Sequence, residues 1–288
     1  MDGAPKQMRT LERVDRWVCL AVRGGLLLLP AISRAAVEPE SGLGLPRDVS
    51  KNGHLVDWLM NITNVFNIIL FIIMCVWMGY ACLRYNRHHE AEYDHGSARR
   101  SVIIALALSA FISAVVDGTL FVNAISDLDS EVWNYEKVAR DPRTVRLEIN
   151  AHQWSWDARY AGTDKKFNNE DDVLTWNDIK VPVNTPIYVQ LTSTDVIHSF
   201  YLPNFRTKMD AVPGQVNRMW FEAKQTGDFD IGCAQHCGTH HYKMKAQLTV
   251  LSPEDYRAWL AEASANAKRA YDPEDKVAHW GWEWKEFY

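Results

Sequence analysis

The sequence predicts a two-helix transmembrane hairpin followed by an all-β domain, a C-terminal helix and an aromatic tail. Residues 55–126 contain two long apolar stretches, whereas residues 127–251 are polar and contain short β-rich runs separated by turn residues. Ser252-Pro-Glu-Asp255 then has the composition of a helix start. The chain has 288 residues and a net charge of −5, so no nucleic acid partner is expected.

The first 36 residues have the three-part pattern of a secretory signal peptide. Basic residues precede an apolar run over 17–32, which ends in small residues at Ser33-Arg-Ala-Ala36. We therefore predict a signal peptide over residues 1–36 and an exposed arm over residues 37–54. An uncleaved amphipathic anchor is the alternative, because Arg23 interrupts the apolar run. Both interpretations place the arm outside the membrane.

The predicted hairpin occupies residues 55–126, with spans at about 60–83 and 101–125. The uncharged core of the first span, 65–83, approaches the roughly 20 residues needed to cross about 30 Å of hydrocarbon. Four arginines lie between the spans, and basic residues in a short loop mark the cytoplasmic side of a membrane. The sequence thus predicts a multi-pass protein of a bacterial-type plasma (inner) membrane, with the lipid bilayer as a partner and the C-terminal domain on the periplasmic side.

Asp117 lies inside the second predicted span. An ionisable side chain within hydrocarbon is costly and is by default a candidate for function, here in proton uptake. Gly118 and Thr119 follow it, and a position near the outer interface or against another subunit is equally compatible with the sequence. Both roles remain open.

Residues 127–251 are predicted to form a β-sandwich or barrel, because the β-rich runs are short and separated by turns such as Ala161-Gly-Thr-Asp164. Residues 162–180, rich in Asp and Asn, are interpreted as a solvated excursion. Residues 252–288 are expected to form a helix to about residue 271. An aromatic tail at 279–288 then packs on the sandwich or on another subunit.

The segment Gly232–Met244 concentrates the chemistry of the chain. It carries Cys233, Cys237, His241 and Met244 at intervals of four, four and three residues. Soft thiolate and thioether ligands favour copper where four thiolates are not available. The two glycines of the segment favour a loop folded round a metal. One face of a helix and a plain disulfide between the two cysteines are the alternatives.

The presence of two cysteines distinguishes this segment from a mononuclear blue-copper site, which uses one. Two thiolates can bridge two coppers and share one unpaired electron, so the centre reorganises little on reduction. The chemistry indicated is electron transfer. Each copper needs an imidazole; His241 supplies one, and His198, just after a Thr-rich β run, is the candidate for the other.

These residues resemble subunit II of the cytochrome c oxidases, the copper-bearing member of the haem-copper respiratory oxidases. The resemblance is carried by Asp195-Val-Ile-His-Ser199, Lys208-Met-Asp-Ala-Val-Pro-Gly214, the C-x3-C-x3-H-x2-M spacing and His152-Gln-Trp-Ser-Trp156. With the two spans it covers roughly residues 55–251. It implies a cupredoxin-like Greek-key domain in which the metal loop joins the last two strands.

The resemblance also implies a dinuclear copper (CuA) centre. The implied ligands are the bridging thiolates of Cys233 and Cys237, the imidazoles of His198 and His241, the thioether of Met244 and the backbone carbonyl of Gln235. His240 competes with His241, but only His241 keeps the three-residue step to Met244.

Gln235 departs from the family pattern. The family usually has Glu at this position, and its side chain helps to hold magnesium at the interface with subunit I. A neutral amide is a poorer ligand for a hard cation. The sequence therefore gives no firm prediction of magnesium binding.

Trp154 matches the exposed aromatic residue at which the family accepts electrons from its donor. A core position is the alternative, because alternation would put Trp154 and Trp156 on one face of a strand. Residues 127–288 carry 25 Asp and Glu against 19 Lys and Arg, and an acidic surface can steer a basic redox partner. Asp195, three residues before His198, is the best-placed candidate for docking that partner.

By this resemblance the chain is the electron-entry subunit of a cytochrome c oxidase. The copper centre would take electrons from cytochrome c and pass them to haem in subunit I, where oxygen is reduced to water and protons are pumped. Subunit I and the other oxidase subunits are the implied partners, and the chain is an enzyme only within that complex. The alternatives are the electron-entry subunit of another CuA-dependent reductase, of the nitric oxide type, and a quinol oxidase subunit with an empty cupredoxin fold.

Overall fold

The computed structural model describes residues 45–272, except 91, 92, 94, 95 and 97, together with residue 274. The predicted signal peptide at 1–36, the first part of the arm at 37–54 and the aromatic tail at 279–288 lie outside the described residues. The described residues form a helical part, a β-domain and a final helix, in that order.

Among the described residues, four α-helices precede the sheets: α1 (Gly53–Arg84), α2 (Arg99–Ile112), α3 (Gly118–Asp127) and α4 (Tyr135–Arg140). A π-helical turn, Ser113–Asp117, joins α2 to α3, and a second, Leu128–Val132, extends α3. Helix α1 and the stretch Arg99–Arg140 are each long and apolar enough to cross a membrane. The predicted spans at 60–83 and 101–125 fall within them, although the second helical stretch continues well past residue 125.

The outer faces of these helices are apolar. Phe71 of α1 and Phe111 of α2 are 68% and 65% exposed, and large exposed apolar surfaces of this kind mark contact with lipid or with another protein. Two helices of this length and apolar character indicate a membrane protein.

Within the described residues, ten strands form two five-stranded sheets. The strands are β1 (Val145–His152), β2 (Ser155–Tyr160), β3 (Val173–Trp176), β4 (Asp178–Pro182), β5 (Pro186–Ser193), β6 (His198–Leu202), β7 (Thr207–Ala211), β8 (Asn217–Glu222), β9 (Gly227–Cys233) and β10 (Lys245–Leu251). The first sheet has the order β3-β2-β1-β5-β8 and the second β4-β10-β9-β6-β7.

Both sheets mix parallel and antiparallel pairs. Strand β1 runs parallel to β5, and β4 runs parallel to β10, so the chain crosses between the sheets instead of meandering within one. In the second sheet β9 lies between β10 and β6. The predicted all-β sandwich is confirmed, and its topology brings β6 beside the loop between β9 and β10.

The hydrophobic core takes side chains from both sheets. Ile149 and Trp156 come from the first sheet and Phe200 and Ile231 from the second, and each is at most 1% exposed. Full burial of a large apolar side chain contributes about 1.5–3 kcal/mol. This shared core fixes the positions of the strand ends, including the start of β6 at His198 and the end of β9 at Cys233.

The interpretation of residues 162–180 as a solvated excursion is wrong. This range contains β3 and most of β4, and Ile179 of β4 is fully buried. Strand β4 is held by parallel pairing with β10, in which Ile179 lies opposite Leu248. Asn177, at φ 54°, turns the chain between the two strands. Non-local pairing stabilises these strands against a local composition that disfavours them, because strand preference depends strongly on context.

An ion pair joins α1 to the β-domain. The Arg206 side chain is 5% exposed, and its Nε and Nη2 atoms lie 2.7 and 3.1 Å from the Asp57 carboxylate. Arg206 has φ 55°, a conformation that residues with a Cβ atom disfavour. Its guanidinium also donates to the Pro203 carbonyl at 2.8 Å. These bonds hold the turn after β6 against the first helix.

Helix α5 (Pro253–Ala270) follows β10 and confirms the predicted C-terminal helix. Ser252 caps it by accepting a hydrogen bond from the backbone N–H of Asp255 at 3.1 Å. The ring of Trp259 packs edge-on against Tyr160 with centroids 5.1 Å apart. The helix is thereby fixed to the side of the sandwich.

Candidate metal centre

The loop between β9 and β10 carries the predicted metal-binding residues. Strand β9 ends at Cys233, and β10 begins directly after Met244. The two strands are antiparallel neighbours, with Lys245 opposite Gly232, so both ends of the loop are held together. Gly238 has φ 112°, and a short 3-10 turn spans His241–Lys243. The segment is a compact loop, and the alternative of one continuous helix face is wrong.

His198 reaches this loop from a distant part of the sequence. It is the first residue of β6, which pairs with β9 so that Phe200 lies opposite Cys233. The His198 side chain is fully buried. Pairing of β6 with β9 therefore brings an imidazole to the thiols across 35 residues of sequence.

The two thiols lie side by side, with an imidazole nitrogen near each. Cys233 Sγ and Cys237 Sγ are 3.7 Å apart, far beyond the roughly 2.05 Å of a disulfide. His198 Nδ1 is 3.9 Å from Cys233 Sγ, and His241 Nδ1 is 3.6 Å from Cys237 Sγ. Both cysteines are free, so the disulfide alternative does not describe this structure.

Two further predicted donors complete the cluster. Met244 Sδ lies 3.2 Å from His198 Nδ1 and 3.7 Å from Cys237 Sγ, and the residue is 1% exposed. The backbone carbonyl oxygen of Gln235 lies 3.2 Å from Cys233 Sγ. All six residues predicted as ligands are thus brought together. His198 and the two cysteines form a group whose donor atoms lie within 4.8 Å of one another.

Asp195 orients the His198 ring. Its carboxylate accepts a 2.8 Å hydrogen bond from His198 Nε2 and a 2.6 Å bond from the backbone N–H of Gln153. Partial burial opposes ionisation, but these bonds and one from the Val196 N–H keep the pKa of Asp195 below its ordinary value. The other ring nitrogen, Nδ1, is left facing the thiols, which is the arrangement usual for a metal-binding histidine.

The two thiols differ in pKa. Burial opposes ionisation of Cys233, but hydrogen bonds from His198 and from the backbone at Ser199 outweigh it and lower its pKa to about 6. Burial and the neighbouring Cys233 thiolate raise the pKa of Cys237 to about 12. Two thiolates so close together repel each other, so the pair favours a cation that neutralises both.

Trp154 lies in the turn between β1 and β2, not on a strand. His152 pairs with Ser155, so Gln153 and Trp154 form the two-residue turn. Trp156, by contrast, is fully buried, with its ring centroid 6.0 Å from that of His198. The expectation that both tryptophans share one strand face is wrong, because the chain reverses between them.

The same turn contacts the metal loop directly. The Gln153 side-chain amide and the Trp154 indole both donate to the Cys237 carbonyl, at 2.8 and 3.2 Å. The Trp154 ring also meets His240 edge-on at 4.5 Å. Sequence reasoning missed Gln153; its position immediately before Trp154 in the aromatic motif was the available signal.

Asp117 lies apart from this cluster, in the helical part. It ends the π-helical turn Ser113–Asp117 and accepts a 2.6 Å hydrogen bond from Ser113 Oγ. This bond satisfies one carboxylate oxygen within the helix itself.

The chain is similar to proteins of a known family. The model of the family "Cytochrome C oxidase subunit II, periplasmic domain" matches residues 145–250, from the start of β1 to the end of β10. The alternative cytochrome c oxidase subunit 2 of Bradyrhizobium diazoefficiens is 29% identical over 240 residues, which cover 74% of this chain and 82% of that protein. The chain belongs to the cytochrome c oxidase subunit II family.

Other members of the subunit II family are similar to this chain over different lengths. The cytochrome c oxidase subunit 2 of Cereibacter sphaeroides is 26% identical, over 85% of this chain and 90% of that protein. The crystal structure of the periplasmic domain of subunit II from Bradyrhizobium japonicum is 30% identical, with a TM-score of 0.38, over 42% of this chain and 94% of that structure. As a member of this family, the chain is a subunit of a haem-copper oxidase, an oxidoreductase complex.

Proposed function

We propose that this subunit II is the electron-entry subunit of a cytochrome c oxidase. A dinuclear CuA centre in its periplasmic domain accepts electrons from cytochrome c and passes them to haem in subunit I, where oxygen is reduced to water and protons are pumped. The observation that carries the proposal is the approach of two imidazoles, His198 and His241, to two adjacent thiols, Cys233 and Cys237. A mononuclear blue-copper site needs only one thiolate.

The donor set fits copper. It consists of two thiols, two imidazole nitrogens, a thioether and a backbone carbonyl, and soft sulfur donors with imidazole are the preferred environment of copper. Cys237, Met244 and His198 are at most 3% exposed, so the sulfur atoms are shielded from water. The repulsion between two adjacent thiolates gives a further reason for a cationic occupant.

Proximity divides the remaining donors between two metal positions. Met244 Sδ lies beside His198 Nδ1, so these two residues would serve one copper. His241 and the Gln235 carbonyl would hold the other, and the thiolates of Cys233 and Cys237 would hold both. A copper pair held by these residues would supply one-electron transfer chemistry.

The surrounding residues of the chain hold these donors in place. Asp195 fixes the His198 ring through Nε2, and the Gln153 amide and the Trp154 indole hold the Cys237 carbonyl. Such outer hydrogen bonds commonly change metal affinity about 10–100-fold when removed. The backbone of β6 also supports Cys233, since Ala234 donates to the Ser199 carbonyl at 2.9 Å.

Trp154 is the proposed point of electron entry. It is half-buried, with one edge open to solvent and the indole N–H bonded to the carbonyl of Cys237. The side chain of Asp195 is 30% exposed beside the same turn, so it can both orient His198 and meet a basic donor such as cytochrome c.

The domain is proposed to lie on the periplasmic side of a bacterial-type inner membrane. The arginines between α1 and α2 would mark the cytoplasmic side, and both flanks of the hairpin would then face outward. Asp117 is kept as a candidate for proton uptake. A magnesium role for Gln235 is not proposed, because its neutral amide suits that cation poorly.

Low-temperature EPR of the copper-loaded full chain in detergent tests the proposal. A seven-line hyperfine pattern is expected, because one unpaired electron shared by two copper nuclei couples to both. A four-line pattern would indicate a mononuclear site. Absence of an EPR signal together with absence of bound copper would indicate an empty fold. Either result overturns the proposal. Oxidase activity of the assembled complex with reduced cytochrome c, compared with quinol, then identifies the donor.

A further inference from the structure

A cavity lies at the end of the β-domain opposite the thiol cluster. It has a volume of about 820 Å³ and is bounded by the segment joining α4 to β1, the turn after β2 and the first turns of α5. The start of β1 lines it, whereas the turn after the end of β1 contacts the metal loop. An eight-residue strand is about 26 Å long, so the two places are well separated.

The rim of this cavity is positively charged, whereas the domain as a whole carries a net negative charge. Although residues 127–288 carry an excess of acidic residues, the lining contains five cationic side chains and one carboxylate. The cations are Arg140, Arg143, Arg146, Lys165 and Arg257, and the carboxylate is Asp141.

Only part of this positive charge is neutralised by ion pairs. Arg143 pairs with Asp141 at 2.7 Å, and Arg140 pairs with Glu136 at 3.3 Å. Within the part of the chain that the structure describes, Arg257 has no hydrogen bond or ion pair, and Lys165 donates only to the Pro142 carbonyl, at 3.4 Å. The cavity therefore has cationic groups available for an anion.

Tyr256 adds a hydrogen-bond donor to the cavity. It lines the cavity and is 6% exposed as a residue, and its hydroxyl has no hydrogen-bond partner among the described residues. The hydroxyl oxygen is not one of the fully enclosed polar atoms, so it is open to the cavity and can meet a ligand there. Burial raises the pKa of Tyr256, so its hydroxyl stays protonated and can donate to an anionic acceptor.

Part of the remaining wall is apolar. Val145, Pro182 and Leu260 line the cavity together with Tyr256. A volume of this size lies within the range of about 300–1,000 Å³ typical of small-molecule sites, which combine apolar walls with a few placed polar groups. Arginines in such a site favour planar or multi-oxygen anions such as carboxylate and phosphate.

We propose that this cavity binds a water-soluble organic anion of nucleotide size. Arg257, Lys165 and the Tyr256 hydroxyl hold its anionic groups, and its ring lies against the apolar wall. The site is separate from electron entry, and the proposal stands or falls independently of the metal centre.

Calorimetric titration of the full chain in an uncharged detergent with ATP, at about 150 mM salt and with a chelator present, tests the proposal. Saturable binding of one ATP with a Kd below about 1 mM is expected. Adenosine lacks the charge and tripolyphosphate lacks the ring, so each should bind at least about tenfold more weakly.

Three variants locate the site. Tyr256→Phe removes only the hydroxyl and Arg257→Gln only the charge, and each should weaken ATP binding by about fivefold or more. Arg269→Gln, in the last turn of the same helix and outside the cavity lining, should bind ATP within about twofold of the wild type.

Several results would overturn the proposal. These are absence of saturable ATP binding up to about 5 mM, unchanged affinity in both cavity variants, and tripolyphosphate binding as tightly as ATP. Arg257 is exposed, so its substitution leaves the fold intact and keeps the test valid if Tyr256→Phe is unstable.

Discussion

Asp195 accepts a 2.8 Å hydrogen bond from Nε2 of His198, which lies three residues further along the chain. This bond occupies one nitrogen of the imidazole and leaves the other 3.9 Å from the Cys233 sulfur. The Asp195 side chain is also 30% exposed. One carboxylate is therefore placed both to orient a predicted metal ligand and to meet an approaching partner.

Replacement of Asp195 separates these two roles. Asp195→Ala removes the acceptor for His198, and we expect copper affinity to fall about 10–100-fold, with Asp195→Asn intermediate because its amide oxygen still accepts a bond. Competition titration with a copper chelator measures the change. Asp228→Asn is the control, because that carboxylate accepts a bond from Thr249 on β10 and is not in contact with the cluster. Unchanged copper affinity with a higher KM for cytochrome c at low ionic strength would assign Asp195 to docking alone.

Adjacent histidines provide a matched comparison. His241 Nδ1 lies 3.6 Å from Cys237 Sγ, whereas the His240 ring packs against Trp154. We expect His241→Ala to abolish the seven-line EPR pattern and His240→Ala to retain it, because only the first variant removes a nitrogen from the thiols. EPR of each copper-loaded variant makes the comparison. The reverse result would show that the loop rearranges on metal binding.

The sequence predicted that the sulfur and imidazole donors come together, because that prediction depends on residue type and spacing. Cys233, Cys237, His241 and Met244 fall within one short loop, and their approach follows from the antiparallel pairing of β9 with β10. His198 was proposed because each copper needs an imidazole, but the strand pairing that brings it to the thiols, β6 with β9, has no local sequence pattern.

Other features could not be predicted from the sequence, because they arise from non-local packing. The strands β3 and β4 lie in a stretch rich in Asp and Asn, and β4 is stabilised by its pairing with β10. The reversal at Gln153 and Trp154 was also missed, because the alternating tryptophans resemble a continuous strand. The ion pair between Arg206 and Asp57 joins residues 149 positions apart and leaves no sequence signal.

Trp154→Phe tests electron entry. The substitution keeps an aromatic ring but removes the indole N–H that donates to the Cys237 carbonyl at 3.2 Å. We expect the EPR pattern to persist while the rate of electron uptake from reduced cytochrome c falls by about tenfold or more. Stopped-flow absorbance of the assembled oxidase measures this rate. Trp176→Phe, at a 70% exposed site on β3, should leave the rate unchanged; an equal loss in both variants would contradict a special role for Trp154.

The ion pair between α1 and the β-domain should contribute far more to stability than a surface pair. Asp57→Ala leaves the Arg206 guanidinium, 5% exposed, without its carboxylate partner, and we expect a loss of about 3–5 kcal/mol. Lys51→Gln breaks the pair with Glu222, in which the lysine side chain is 49% exposed, and should cost at most about 1 kcal/mol. Denaturant unfolding of the full chain in detergent compares them. Equal effects would indicate that water reaches Arg206.

Glu148 predicts an unusual dependence of stability on pH. The Glu148 and Arg159 side chains are at most 1% exposed and are hydrogen-bonded to each other, with Asp172 3.6 Å from Arg159. Burial outweighs the attraction of Arg159 and raises the pKa of Glu148 from 4.5 to about 9. Between these values the folded chain keeps a proton that the unfolded chain has lost, so the contribution of Glu148 to stability decreases as pH rises, by at most about 1.4 kcal/mol per pH unit.

Glu148→Gln isolates this contribution, because the neutral amide resembles the protonated carboxyl and does not titrate. We expect the free energy of unfolding of the variant to change less than that of the wild type between about pH 6 and about pH 8.5. Denaturant unfolding followed by tryptophan fluorescence measures both slopes. Glu170→Gln is the control, since that side chain is 64% exposed and should leave the slope unchanged. Equal slopes in wild type and Glu148→Gln would mean that Glu148 is ionised in the folded protein and that Arg159 compensates fully for its burial.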